Sequence, residues 1–214
     1  VPVTEKPRVV IVGCFQNGKS TLVNCLLDDR MAQTGSGLST THINTLYSYG
    51  EFNELALDFG PGSVSRVPLY DKDYFDQVAP LDRFVRWSKA TDLRQVRLAK
   101  IKAWKPILDS IDLLDTPGFN ADDIDDSMAR NGLDTADYVI VVVNNKGISQ
   151  IEKKIIDEVA KRGLAYIIVM NCTDRRKWRP SNDVNRRLAG EIEARLHTLG
   201  SKPDKVSENG DESP

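Results

Sequence analysis

The chain has 214 residues, 40% of them hydrophobic, which suits one ordinary α/β domain with a buried core. A formal net charge of −2 and a pI near 5.8 give no global attraction for nucleic acid, and no nucleic-acid partner is expected. No apolar run approaches the length of a membrane span, residues 1–7 lack the hydrophobic centre of a signal peptide, and the three cysteines, at 14, 25 and 172, cannot all pair, so a cytoplasmic protein with reduced thiols is expected.

In chain order, the β-branched run over 8–12 predicts a strand that leads into Gly13-Cys14-Phe15-Gln16-Asn17-Gly18-Lys19-Ser20, and Thr21 to Leu27 then continue as a helix over 19–28. A glycine-rich turn between a strand and a helix, ending in Lys-Ser, is the form of a phosphate-binding loop. The backbone curls so that its N–H groups face phosphate oxygens, and Cβ atoms at 13 and 18 would obstruct it. Gly13, Gln16, Asn17, Gly18, Lys19, Ser20 and Thr21 form the candidate nucleotide-binding stretch. Lys19 is expected to reach the β- and γ-phosphates, and Ser20 to give its hydroxyl to Mg²⁺ at the positive end of the helix.

The stretch Gly35-Ser36-Gly37-Leu38-Ser39-Thr40-Thr41-His42 precedes a strand over 43–49 and stands where a loop that closes on the third phosphate belongs. Thr41, with Thr40 as its close alternative, is the candidate to offer a hydroxyl to Mg²⁺ and an N–H to the γ-phosphate. Strands at 43–49 and 54–59 around Gly50 are expected to form a hairpin at an antiparallel edge. A helix is expected over 71–88, whose end carries the amphipathic Arg83-Phe84-Val85-Arg86-Trp87-Ser88-Lys89, then a strand over 95–104.

The strand 111–115 ends in Asp115-Thr116-Pro117-Gly118, which has the form of a second nucleotide motif. Asp115 would hold Mg²⁺ through a water, and Gly118 could donate its N–H to the γ-phosphate. A strand over 138–143, a helix over 149–162 capped by Ser149 and stopped at Gly163, and a strand over 165–170 follow. At that strand's end Asn171-Cys172-Thr173-Asp174 has the form of a guanine reader. The Asp174 carboxylate can accept from the guanine N1–H and exocyclic amine, which adenine does not match. A helix over 183–199 and the polar stretch 201–214, expected to be disordered, complete the chain. The cluster Arg175-Arg176-Lys177-Trp178-Arg179 reads as a solvated loop. Alternating strands and helices predict a three-layer α/β fold: a mostly parallel sheet with an antiparallel edge and helices on both faces. The expected division is an extension over 1–7, a nucleotide-binding domain over 8–200 and the tail.

These motifs together resemble the GTPase domain of the dynamin superfamily, from about Arg8 to Gly200. The resemblance rests on the loop with Phe15, the Leu-Val-Asn-Cys-Leu-Leu helix, Leu38-Ser39-Thr40-Thr41 before a strand, Tyr49-Gly50-Glu51, and Trp104-Lys105-Pro106-Ile107-Leu108 ahead of Asp115, features similar to bacterial dynamin-like members. It implies Mg²⁺-dependent hydrolysis of GTP to GDP and phosphate, with Lys19, Thr41, Gln16 and Gly118 as the candidate catalytic groups. It also implies a homodimer or hetero-oligomer through the nucleotide face and peripheral membrane association through segments outside this domain. Three departures stand out. Phe119 occupies the place where Ras-like enzymes carry the water-orienting glutamine; Gln16 or the loop backbone are candidates for that task. In the family a monovalent cation and dimerisation take a similar part, and related bacterial enzymes often carry asparagine where this chain has Gln16. Cys172 replaces the lysine of the base-reading motif, and after 183–199 the chain enters the polar stretch instead of a further strand, so a truncated or externally completed domain is expected. A nucleotide-binding switch with little hydrolysis is the alternative function, and an ATPase of similar loop architecture the rival if Asp174 does not reach the base.

Overall fold

A computed structural model of the protein describes residues 6–32, 43–51, 54–68, 96–119, 123–145 and 148–171. The expected helices over 71–88 and 183–199, the loop with Thr40 and Thr41, the residues Cys172 and Asp174, and the polar stretch after 200 lie outside the described residues.

Among the described residues eight strands form one sheet, in the order β4-β3-β5-β2-β6-β1-β7-β8. The strands are β1 (Arg8–Val12), β2 (Asn44–Tyr49), β3 (Glu54–Asp58), β4 (Val64–Pro68), β5 (Leu98–Ala103), β6 (Asp112–Asp115), β7 (Tyr138–Asn144) and β8 (Ala165–Asn171). Around β1 the sheet is parallel: β6 lies on one side with Val10 opposite Leu114, β7 on the other with Val10 opposite Val139, and β8 continues beyond β7. Three α-helices are described, α1 (Lys19–Leu27), α2 (Asp123–Leu133) and α3 (Gln150–Lys161), with a short 3-10 turn at Pro106–Asp109.

Strand alternation sorts the core onto two faces. Ile11 and Val142 share one cluster with Val23 and Leu27 of α1, while Val10, Val12, Val139, Val141 and Val143 share the other with Ala129 and Leu133 of α2 and Ile155, Ile156 and Val159 of α3. This is the expected three-layer arrangement. β5 shows the same logic on a half-covered face, burying Ala99, Ile101 and Ala103 while Lys100 and Lys102 are exposed.

The antiparallel edge is displaced from where the sequence suggested it. β2 and β3 do not pair with each other, because β5 lies between them, parallel to β2 and antiparallel to β3. The edge hairpin is β3 with β4, turned over 59–63. Inserting β5 lets Ile101 sit opposite Leu55 and beside Tyr47, so three buried side chains line up in one row. The expected helix at 149–162 is α3: Ser149 Oγ accepts from Glu152 N while Glu152 returns a bond to Ser149 N, and Gly163 follows in the left-handed region at φ 69°. Among the described residues no helix is long and apolar enough to cross a membrane. The carboxyl ends of β1, β6, β7 and β8 converge on one rim, where open α/β sheets hold their ligands.

Candidate nucleotide site

Beyond Val12 the chain leaves the sheet and turns back on itself before α1. Two of the turning residues, Gln16 at φ 63° and Gly18 at φ 88°, are in the left-handed region. Gly18 needs to be glycine for space as well, since a Cβ there would fall on the side-chain amide nitrogen of Asn171. Gly18 is also the N-cap of α1 and makes no side-chain cap bond, so the first-turn N–H groups and the positive end of the helix face the loop mouth. Gln16 is exposed at the tip of the loop, and Thr21 is exposed on the first turn of the helix.

Lys19 is 6% exposed, and its ammonium donates to the carbonyl oxygens of Gly13 and Cys14, each at 3.2 Å. Ser20 Oγ donates to Asp115 Oδ2 at 2.8 Å. Asp115 is 1% exposed, and its other oxygen, Oδ1, is buried with no hydrogen-bond partner among the described residues. Burial pushes this carboxyl up to about 6, against the pull of Lys19 and of the Ser20 hydrogen bond. A hydroxyl beside a buried carboxylate with a spare oxygen is a hard oxygen donor set of the kind Mg²⁺ takes, so the residues present fit that ion.

The Asp115–Phe119 segment is fastened to β1 at one place and to the loop that follows β1 at another. Thr116, fully buried, donates its hydroxyl to Ile11 O at 2.8 Å. Further along, Phe15 N donates to Phe119 O at 3.1 Å and Phe119 N to Gly13 O at 3.2 Å, a short parallel bridge. The intervening Gly118 lies so close that a Cβ on it would come within 2.6 Å of Phe15 Cα and 3.1 Å of Lys19 Nζ. The Phe119 ring is 3% exposed, belongs to the cluster of α2 and α3, and has Arg130 above it at 5.8 Å.

The structure thus brings Gly13, Gln16, Asn17, Gly18, Lys19, Ser20, Asp115, Gly118 and Asn171 to one rim. Sequence reasoning missed Thr116, Asn144 and Glu152, and the direction of one side chain it did name. The Asn17 amide is 2% exposed and donates inward, to Val142 O at 2.9 Å and to Glu152 Oε1 at 2.8 Å. The spacing Ser149-x-x-Glu152 was a readable signal for the cap but not for this second contact.

The sequence matches the profile of the Dynamin family over residues 9–173. The chain belongs to the dynamin family. This dynamin-family domain is 26% identical over 171 residues to Dynamin-like protein 2 of Campylobacter jejuni subsp. jejuni serotype O:23/36 (strain 81-176), a match covering 78% of this chain and 26% of that protein. Among solved structures it is similar to an oligomerised bacterial dynamin pair described for long-range sensing and tethering of membranes, with TM-score 0.59 and 19% identity, over 95% of this chain and 32% of that one. It is similar as well to Era in complex with MgGDPNP and nucleotides 1506–1542 of 16S ribosomal RNA, with TM-score 0.50 and 20% identity, over 92% of this chain and 50% of that one. The shared fold is that of P-loop GTPases. The chain spans about a quarter of the curated relative and about a third of the dynamin structure.

Proposed function

We propose that this dynamin-family domain binds GTP with Mg²⁺ and hydrolyses it to GDP and phosphate, in a cycle coupled to pairing of two such domains across the nucleotide face. The observation that supports it best is the joint at the loop mouth: Ser20 hydrogen-bonded to a buried Asp115 whose other oxygen has no partner among the described residues, next to Lys19. In this reading Ser20 and Thr41 would hold Mg²⁺, with Asp115 supporting them, and the ion would supply neutralisation of phosphate charge. Lys19 exchanges its two carbonyl partners for phosphate oxygens, and the Gly118 N–H donates to the γ-phosphate, which the glycine leaves open. Asp174 is proposed to read guanine, and Asn171, the first residue of the same motif, is hydrogen-bonded to the backbone of Asn17. Catalysis is then mainly positioning and charge neutralisation.

The water-orienting group is not Phe119, whose ring is spent in the core. Gln16, exposed at the loop tip, the loop backbone, a monovalent cation and the partner domain are the proposed means. Turnover per molecule therefore rises with protein concentration, and potassium is added and withheld in the same assay; a rate per molecule that stays flat over a hundredfold range contradicts the coupling. Membrane association is proposed for the whole protein, through segments outside this domain.

The buried Phe119 also favours a second reading, a GTP-dependent binding switch that hydrolyses poorly. Single-turnover phosphate release separates the two: GDP formed at the bound site supports the GTPase, and intact GTP after hours supports the switch.

A further inference from the structure

We infer that Glu152 and Asn17 form a positioning pair that couples the phosphate-binding loop to the base-reading strand end, so that loosening the pair weakens guanine selectivity as well as affinity. The inference deepens the proposed GTP site and rests on that reading. Glu152 lies at the third position of α3 and is 1% exposed. A helix-capping glutamate needs only the cap it completes, and one oxygen does that, accepting from Ser149 N at 2.6 Å. Its other oxygen leaves the helix altogether and accepts from Asn17 Nδ2 at 2.8 Å, across 135 residues of sequence.

Asn17 is bound on every side. The same Nδ2 donates to Val142 O at 2.9 Å, and Asn144 Nδ2 donates to Asn17 Oδ1 at 3.1 Å. Its backbone carbonyl accepts from Asn171 Nδ2 at 2.9 Å. One loop residue is thus pinned to the ends of β7 and β8 and to the start of α3, with Gly18 packed directly against the Asn171 amide. A loop that must present its N–H groups to phosphate gains affinity from being held in place beforehand. The Asn17 peptide sets at once where the phosphate-facing amides point and where Asn171, the first residue of the base-reading motif, is anchored. Buried networks of this kind lose most when one member can no longer satisfy the others.

The test is calorimetric titration of the full chain with GDP and with IDP, which lacks the exocyclic amine, in Mg²⁺, for wild type, Glu152→Gln, Asn17→Ala and Ser149→Ala. In Glu152→Gln the near-isosteric amide keeps the volume but cannot accept from both donors at full strength. We expect GDP affinity to fall about tenfold and the GDP-to-IDP ratio to shrink at least threefold. Asn17→Ala cuts the same contact from the loop side and gives the same change in ratio, should Glu152→Gln not fold by circular dichroism. Ser149→Ala removes the cap acceptor of Glu152 N and the Ser149 contact to the Cys14 thiol, leaves the Glu152–Asn17 bond in place, and keeps the wild-type ratio. An unchanged ratio in Glu152→Gln and Asn17→Ala, or an equal collapse in Ser149→Ala, overturns the inference while leaving the GTP site standing. Wild type that takes up neither nucleotide overturns the site reading and the inference with it.

Discussion

Replacing Gly118 by alanine probes the closest approach in the site. The new Cβ would stand 2.6 Å from Phe15 Cα and 2.8 Å from Phe15 N, both backbone atoms that cannot swing aside. Ordinary contact begins near 3.4 Å, so the two loops must part by roughly 0.8 Å. That movement carries the Phe15–Phe119 and Phe119–Gly13 bonds, now 3.1 and 3.2 Å, to near 4 Å, where neither counts as a hydrogen bond. Two backbone bonds at about 1 kcal/mol each, with overpacking strain of about 1–3 kcal/mol if the loops do not part fully, give a loss of about 2–5 kcal/mol. Against a total of about 5–15 kcal/mol for a domain this is a large fraction. Urea unfolding followed by circular dichroism measures it. The same variant, with Gly118 N–H shifted from its place, should lose its preference for a non-hydrolysable GTP analogue over GDP. Stability within about 0.5 kcal/mol of wild type would refute the reasoning, for it would mean that the loops are not pressed together at this point.

Two further outcomes are expected. Thr116→Val keeps shape but leaves Ile11 O without its 2.8 Å donor, at a cost of about 1–3 kcal/mol, read in the same unfolding experiment and as faster amide exchange at 115–119; an unchanged protein would show that this bond does not hold β6 to β1. Burial, and after it the nearby Glu152, push the Cys14 thiol up from 9.0 to about 11, so at pH 8 its thiolate fraction is about 100-fold below that of a free thiol. The folded state thus favours the protonated thiol, and this contribution to stability is lost as pH rises from 9 towards 11. Iodoacetamide at pH 8 should label exposed Cys25 far ahead of Cys14, as read by peptide mass spectrometry; equal rates would contradict the assigned environment.

Much of the rim was legible because its chemistry is local. The turn from β1 into α1 carries its glycines, lysine and serine within eight residues, Asp115 ends a short apolar strand, and Ser149 announces α3. What the sequence hid is non-local or masked by composition. Nothing near Gly50 reveals that β5, which begins only at Leu98, slips between β2 and β3. β4 is a five-residue edge strand ending in Pro68, too short and too polar to stand out. α2 opens with three aspartates among four residues and contains Asn131-Gly132, so its buried positions, Ala129, Gly132 and Leu133, make only a thin stripe. The Asn17–Glu152 contact joins residues that each had a sufficient local explanation, one as part of the turn and the other as part of the cap.

The central claim is that the loop over 13–20, with Ser20 and Asp115 behind it, is a Mg²⁺-dependent site for guanine nucleotide. Calorimetric titration with a non-hydrolysable GTP analogue, in Mg²⁺ and in EDTA, for wild type and Lys19→Ala tests it most directly. One site per chain is expected, weakened by EDTA and about 100-fold weaker without the Lys19 ammonium, which supplies charge-assisted bonds to phosphate. No uptake by wild type in Mg²⁺, or equal affinity in Lys19→Ala, would contradict the account.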